Sequence, residues 1–477
     1  MAEHVEFVRS LLNALVSDAR FRRGGIGADA AYYVPGLCLP KGVDALLPLY
    51  QRALMHGNVD AREVAATAIG ELVDYTSPEA LKPSYVKITG PLIRIVADKF
   101  PWQVKAAILA TLGGIIDKGG VALKPFQPQL QTTFVKALSD PTTAVRARGV
   151  AALAKLQALS TRVDPLVNEL VAGIAGGAPA GGIQESMAEA LASVFALSGD
   201  KVSTPLRARA LEAALDERLL VGEDDDTMRR LTAKLVGAVL RHAEADTVHA
   251  TLSTLLFSSE RDIATGGGTV DSVADGRAAA VNAVLRFASR SIAAHGAAIA
   301  AHLVLAGSPT AHVALKELAA SGAGYALSLS MVPSAVATMT AASPGSDADA
   351  AAVASAFTAV MPKLVALIAR LCSDAALDVR HAAVDGIKRF ARSNPRAVVA
   401  SAAVLLPPLI VTVAKEGGNV VLRAAAERAL LHAAQVHGPQ SLVTAALAAL
   451  GADDRSWLRD YSVRLRNQPA ESDDDED

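Results

Sequence analysis

The sequence predicts an all-α fold, an α-solenoid of about nine or ten stacked helical hairpins, and three observations predict it. One stretch, Leu123 to Leu156, reads as two helices folded back on each other. Its apolar face runs through Phe126, Leu130, Phe134 and Leu138, breaks at Ser139-Asp140-Pro141, and resumes at Val145, Val150, Leu153 and Leu156. Composition is the second observation: hydrophobic residues make up 51% of the chain but aromatics only 4%, the balance expected of Ala-rich helices packed close together. The third is repetition of that hairpin along 477 residues, a length beyond one ordinary core.

In the first hairpin, Pro141 fixes its own φ and lacks an N–H, and Asp140 can accept orphan N–H bonds, so the turn is specified chemically. Elsewhere a break is followed by an apolar residue, a basic residue and an Ala-rich helix. This happens at Ala61-Arg62, Val104-Lys105, Val145-Arg146, Val379-Arg380 and Leu422-Arg423. Basic residues 62, 105 and 146 are 43 and 41 apart, and 380 and 423 are 43 apart, which is the period of HEAT or armadillo repeats. Met187, Arg229 and Arg277 keep step at intervals of 41, 42 and 48, the last consistent with a loop at Gly266-Gly267-Gly268. From about Ala306 to Ala351 the register is lost among Ser, Gly and Ala.

The expected organisation is an N-terminal helix and Gly-rich loop over 1–44, repeats over 45–305, and a degenerate repeat with an Ala/Ser/Gly-rich loop over 306–357. C-terminal repeats and a cap formed by Trp457 and Tyr461 follow over 358–467, then an acidic disordered tail over 468–477. Ser472 in that tail resembles a site for acidophilic kinases. Ala397 to Ala414 has 18 residues without a charge, but Pro407-Pro408 interrupts it, so two helices with a turn between them are expected and not a membrane span. Asp140 and Arg146, like Asp374 and Arg380, are six apart. They are expected to form an inter-repeat ladder of carboxylate and guanidinium groups.

Charge excludes little by itself. Six of the 48 acids lie in the last seven residues, so the remainder is weakly basic and carries no nucleic-acid or membrane footprint. Two distant cysteines, Cys38 and Cys372, fit a reducing compartment, and the N-terminus lacks the apolar core of a signal peptide. No HExxH or CxxC spacing suggests a metal. His295 and His302 read as packing or surface histidines, and neither Gly266-Gly267-Gly268-Thr269 nor Gly24-Gly25-Ile26-Gly27 carries the lysine of a phosphate loop. No nucleophile or isolated carboxylate pair is evident, so no cofactor and no enzymatic activity are expected.

Specific letters add a resemblance. KPFQPQLQTTFVKALSD, VRARGVAALAKL and RVDPLVNELVAGI, with ALMHGNVDAREVAATAIGELVDYTS and ITGPLIRIVADKFPWQVKAAILATLGGIIDKGG before them, resemble the C-terminal HEAT region of general control non-derepressible one. That family is the ribosome-associated activator of the initiation-factor-two alpha kinase. The resemblance is strong over about 45–175 and thematic after it. It implies a cytoplasmic, non-catalytic scaffold in the amino-acid starvation response that binds the RWD domain of the kinase, with ribosomes as a further partner. Arg146 best matches a basic residue used in that contact, with Arg148 beside it and Lys136 on the preceding helix; periodicity alone reads Arg146 as a ladder residue, and a ridge position would allow both roles. The alternative is an adaptor for transport or assembly that binds a peptide or acidic cargo, although only Trp102 and Trp457 could line an aromatic groove.

Overall fold

The computed structural model describes residues 2–22, 33–96, 100–176, 182–220, 226–265, 272–287, 292–330, 347–415, 419–437 and Ser456, and among them there is no strand. Helices of ten residues or more are numbered in chain order. Contacts divide the chain into two compact units, Met1–Ala213 and Ala214–Asp477. The cap residues Trp457 and Tyr461, the acidic tail with Ser472, and the Gly-rich stretches at 24–27 and 266–268 lie outside the described residues.

In the first unit α1 (Ala2–Arg22) precedes four hairpins. These are α2 (Leu47–His56) with α3 (Val59–Asp74), α4 (Tyr85–Val96) with α5 (Trp102–Gly119), α6 (Gln127–Ala137) with α7 (Thr143–Gln157), and α8 (Asp164–Ala175) with α9 (Ile183–Ser198); α10 (Thr204–Ala214) follows. The second helices stack on one another in the order α3, α5, α7, α9, and α2, α4 and α6 form the opposite layer. Helix α1 leans on α3 through Arg9, which donates to both oxygens of Glu71 at 2.9 Å, and through Tyr75 Oη, which donates to Asn13 at 2.6 Å.

The second unit repeats the plan with α11 (Asp226–Leu240), α12 (Ala245–Thr265) with α13 (Ser272–Phe287), and α14 (Gly296–Ala306) with α15 (Val313–Leu329). Then come α16 (Asp347–Leu371) with α17 (Leu377–Ser393) and α18 (Ala402–Lys415) with α19 (Val420–His437). Here α11, α13, α15, α17 and α19 stack in sequence. The backbones come close because small residues line the crossings. A Cβ added to Gly324 of α15 would stand 2.5 Å from the Cα of Gly386 in α17, and one added to Gly237 would meet the Ala283 carbonyl at 2.5 Å. That spacing is what the Ala and Gly content serves.

The fold matches the expected α-solenoid, with two local differences. The register lost after Ala306 is regained in α15, where Lys316 holds the same fourth helical position as Arg62, Lys105, Arg146 and Arg380. Ala, Gly and Ser surround α15 so evenly that its apolar face has little contrast in the sequence. Helix α16 also runs through position 357, the expected end of the degenerate segment.

The second difference concerns Pro407-Pro408, which lie inside α18; the turn falls at Ser401 instead. Each proline removes one N–H, freeing the carbonyls of Ala403 and Val404. Both residues are exposed, so water can take those bonds and the helix continues. Two runs, Trp102–Ala137 and Ala350–Leu371, are long and apolar enough to cross a membrane by length and composition. The first is α5 and α6 joined by a 3-10 stretch, Gly120–Phe126. The second is α16, whose Phe357, Leu364 and Ile368 are fully buried.

One buried group ties this packing to pH. His302 in α14 has no exposed surface, neither ring nitrogen has a hydrogen-bond partner among the described residues, and burial pushes its pKa down to about 4 from 6.5. The folded chain therefore holds it neutral, whereas the unfolded chain protonates it below 6.5. Between these values the unfolded state binds more protons, so stability falls as pH falls, by at most about 1.4 kcal/mol per pH unit. Urea titrations of the second unit from pH 7 to 4 should show this acid limb in the wild type and a flatter one in His302→Leu.

Candidate partner-binding surface

The turn between α6 and α7 is built from its polar groups outward. Asp140 Oδ1 accepts the Thr142 N–H at 2.9 Å, an Asx turn that leads the chain into α7. Its other oxygen accepts from Lys105 Nζ of the preceding repeat at 2.8 Å. Arg146, in the fourth position of α7, donates Nη1 to the Asp140 and Pro141 carbonyls, both at 3.0 Å, and Nη2 to Thr143 Oγ1 at 3.1 Å. Its Nε reaches forward to Ser186 Oγ in α9 at 3.1 Å. One arginine thus closes its own turn and ties it to the next repeat.

This differs from the expected ladder. The carboxylate of Asp140 pairs with Lys105 and not with Arg146, and Asp374 pairs likewise with Lys316 at 3.1 Å while Arg380 Nη1 donates to the Asp374 and Ala375 carbonyls at 3.0 Å. Arg62 performs the same closure on the Leu54, Met55 and Gly57 carbonyls. The physical reason is the shape of the cation. A planar guanidinium fork suits several carbonyls at a helix end, whereas an ammonium, a point charge on a long stem, reaches the carboxylate of the neighbouring turn. Accepting the Ala376 N–H, with Lys316 beside it, holds the Asp374 carboxyl below the usual carboxylate range.

Arg146 is consequently not on a ridge. It is 4% exposed and lies beneath Gly182, whose φ of 80° places it in the left-handed region; a Cβ there would stand 2.2 Å from Nη2. Arg148 and Lys136 are exposed, and neither makes an ion pair or hydrogen bond to a described residue. Lys136 lines a groove of about 560 Å³ between α4 and α6, with Ile93, Val96, Thr132 and the Lys105–Asp140 pair. The structure therefore gathers Lys136, Asp140 and Lys105 at one groove and holds Arg146 behind them as its support.

Sequence reasoning missed Lys105 as the partner of Asp140 and Ser186 as a bond to Arg146. The separation of 35 between Lys105 and Asp140 is a usable signal, since it spans from one repeat to the turn of the next. Among the described residues no group of three His, Cys, Asp or Glu could hold a metal ion. The arrangement presents cations beside apolar and hydroxyl groups, which suits protein docking.

Comparison with known proteins gives the following likenesses. Residues 164–342 match the family model described as stalled ribosome sensor GCN1-like, HEAT repeats, and residues 350–448 match GCN1-like, C-terminal HEAT repeats; residues 102–156 match a HEAT-like repeat. The likeness thus extends well past 175. Protein ILITYHIA of Arabidopsis thaliana is 34% identical over 484 residues, all of this chain and 16% of that protein. The eIF-2-alpha kinase activator GCN1 of Dictyostelium discoideum is 42% identical over 206 residues, 43% of this chain and 8% of that protein. This chain spans less than a fifth of either relative. A crystal structure of importin beta superposes over 90% of this chain and 52% of its own, with a TM-score of 0.58 at 13% identity, a likeness of fold.

The two arginines of α7 separate in a stability measurement. Arg146→Ala leaves the turn carbonyls without their donor and should cost about 2–4 kcal/mol in urea unfolding. Arg148→Ala, at an exposed position, should stay within about 0.5 kcal/mol of wild type.

Proposed function

The chain carries a GCN1-like HEAT-repeat region, and from that premise we propose that it is a non-catalytic scaffold that binds the RWD domain of the initiation-factor-two alpha kinase. It promotes activation of that kinase in the amino-acid starvation response and so regulates translation from the cytoplasm, with ribosomes as a further partner. The observation that carries the reading is the 42% identity to a protein named as an eIF-2-alpha kinase activator. Scaffolding needs one good surface and no catalytic pocket. Holding the kinase beside a stalled ribosome raises its effective concentration and makes activation nearly intramolecular.

The contact is assigned to the exposed surface of the α6–α7 hairpin. Arg148 and Lys136 supply exposed cations for carboxylates of the partner. Arg146 belongs to the same site as the residue that positions it, since its bonds to the Asp140 and Pro141 carbonyls fix the turn from which both helices leave.

A pull-down of the kinase RWD domain with the full chain tests this. Wild type should retain the domain, and the double variant Lys136→Glu and Arg148→Glu should weaken retention about tenfold while its urea midpoint stays that of wild type. A wild-type chain that does not retain the domain defeats the kinase reading. Equal retention by the folded double variant defeats the site assignment alone.

A further inference from the structure

A second groove lies between α14 and α16, neighbouring first helices of successive hairpins in the second unit. Its volume is about 850 Å³, and its floor is made by Ala301, Val304, Leu305 and Leu367. Val304 and Leu305 are 39% and 37% exposed, so this apolar floor is open to solvent. The end of the groove is fixed. Arg370 Nη2 donates to the Gly307 carbonyl at 2.6 Å, and a Cβ on Gly307 would stand 2.6 Å from Leu367 Cδ1, so α14 ends in close contact with α16.

The rim carries charge of one sign. Among the described residues, Lys363 and Arg370 line the groove, both exposed, and no carboxylate does. The groove near Lys136 differs, because Asp140 sits in its wall. Lys363 and Arg370 are seven residues apart on one helix, two turns, so they flank the floor along about 10.5 Å on the same face. Lys363 makes no ion pair or hydrogen bond to a described residue.

We propose that the α14–α16 groove is a docking site for an amphipathic helix of a protein partner, one with leucine-like residues on one face and acidic residues on its flank. Two roughly parallel helical walls leave a trough into which the ridge of a third helix fits, and the open Val304 and Leu305 face takes apolar side chains spaced three and four residues apart. Charge selects among such helices: the Lys363 and Arg370 rim favours carboxylates one or two turns apart and repels a basic helix. The site is in the other unit from the kinase contact and stands or falls independently of it.

The test uses the full chain and a fluorescein-labelled synthetic helix of about four turns, with leucines three and four apart on one face and glutamates on the flank. A control replaces those glutamates with lysines. Fluorescence anisotropy should show the acidic peptide binding about tenfold or more tighter than the basic one. Lys363→Glu should erase that preference and Val304→Asp should abolish binding, both at exposed positions where circular dichroism and the urea midpoint are expected to match wild type. Hydrogen-exchange protection by the acidic peptide should be confined to 296–309 and 358–371. Equal binding of the two peptides, an unchanged preference in Lys363→Glu, or protection elsewhere overturns the proposal. A concentration-dependent dimer that Val304→Asp dissolves also overturns it, by giving the groove to a second copy of this chain.

Discussion

The closure of a helical turn by an arginine from the helix that follows, seen at three of the hairpins, is the interaction on which the remaining packing rests. Arg62, Arg146 and Arg380 occupy the fourth position of α3, α7 and α17, and each donates to carbonyls at the end of the preceding helix or in the turn. The Leu54 and Met55 carbonyls are among the groups that the end of α2 leaves unsatisfied, and the others lie in the turns themselves. Meeting them with a buried or half-buried guanidinium fixes how one helix leaves the other. Only with that angle set can successive hairpins present matching faces.

Stacking then depends on small residues. Where Gly324 meets Gly386, and Gly237 meets Ala283, the helix axes come within reach of backbone contact, and larger side chains would hold them apart. Large buried groups such as Phe134, Phe195, Phe357 and Phe390 fill the wider spaces between the layers. A low aromatic content follows from this division of labour, not from a thin core. Lys105 with Asp140, and Lys316 with Asp374, add one charged bond between neighbouring repeats where the turns come together. These pairs are partly buried, so they specify register more than they add stability.

The surfaces left over are where the two proposed contacts are placed. Grooves between first helices recur in both units, yet their rims differ: one contains the Lys105–Asp140 pair with Lys136, the other Lys363 and Arg370 above an apolar floor. A repeated backbone thus yields grooves of distinct chemistry through the few side chains that repetition does not fix.

Period, turn chemistry and helix content were legible in the letters alone, because a helix end needs particular residues at particular offsets and a stacked hairpin needs apolar faces at regular intervals. Ser139-Asp140-Pro141 announced its turn, and the basic residue after each break marked a position that the structure places in the first turn of a helix. What the letters could not decide was which partner each residue meets. Arg146 and Asp140, six apart, looked like a pair, but stacking brought Lys105 to the carboxylate and turned the guanidinium onto carbonyls and Ser186. Pro407-Pro408 looked like a break, but exposure of Ala403 and Val404 let the helix pass. Offsets along the chain set local geometry, whereas burial and inter-repeat distances exist only once neighbouring hairpins have docked. The same holds for the candidate site: Arg148 and Lys136 were visible as cations, and only the stack exposed them while burying Arg146.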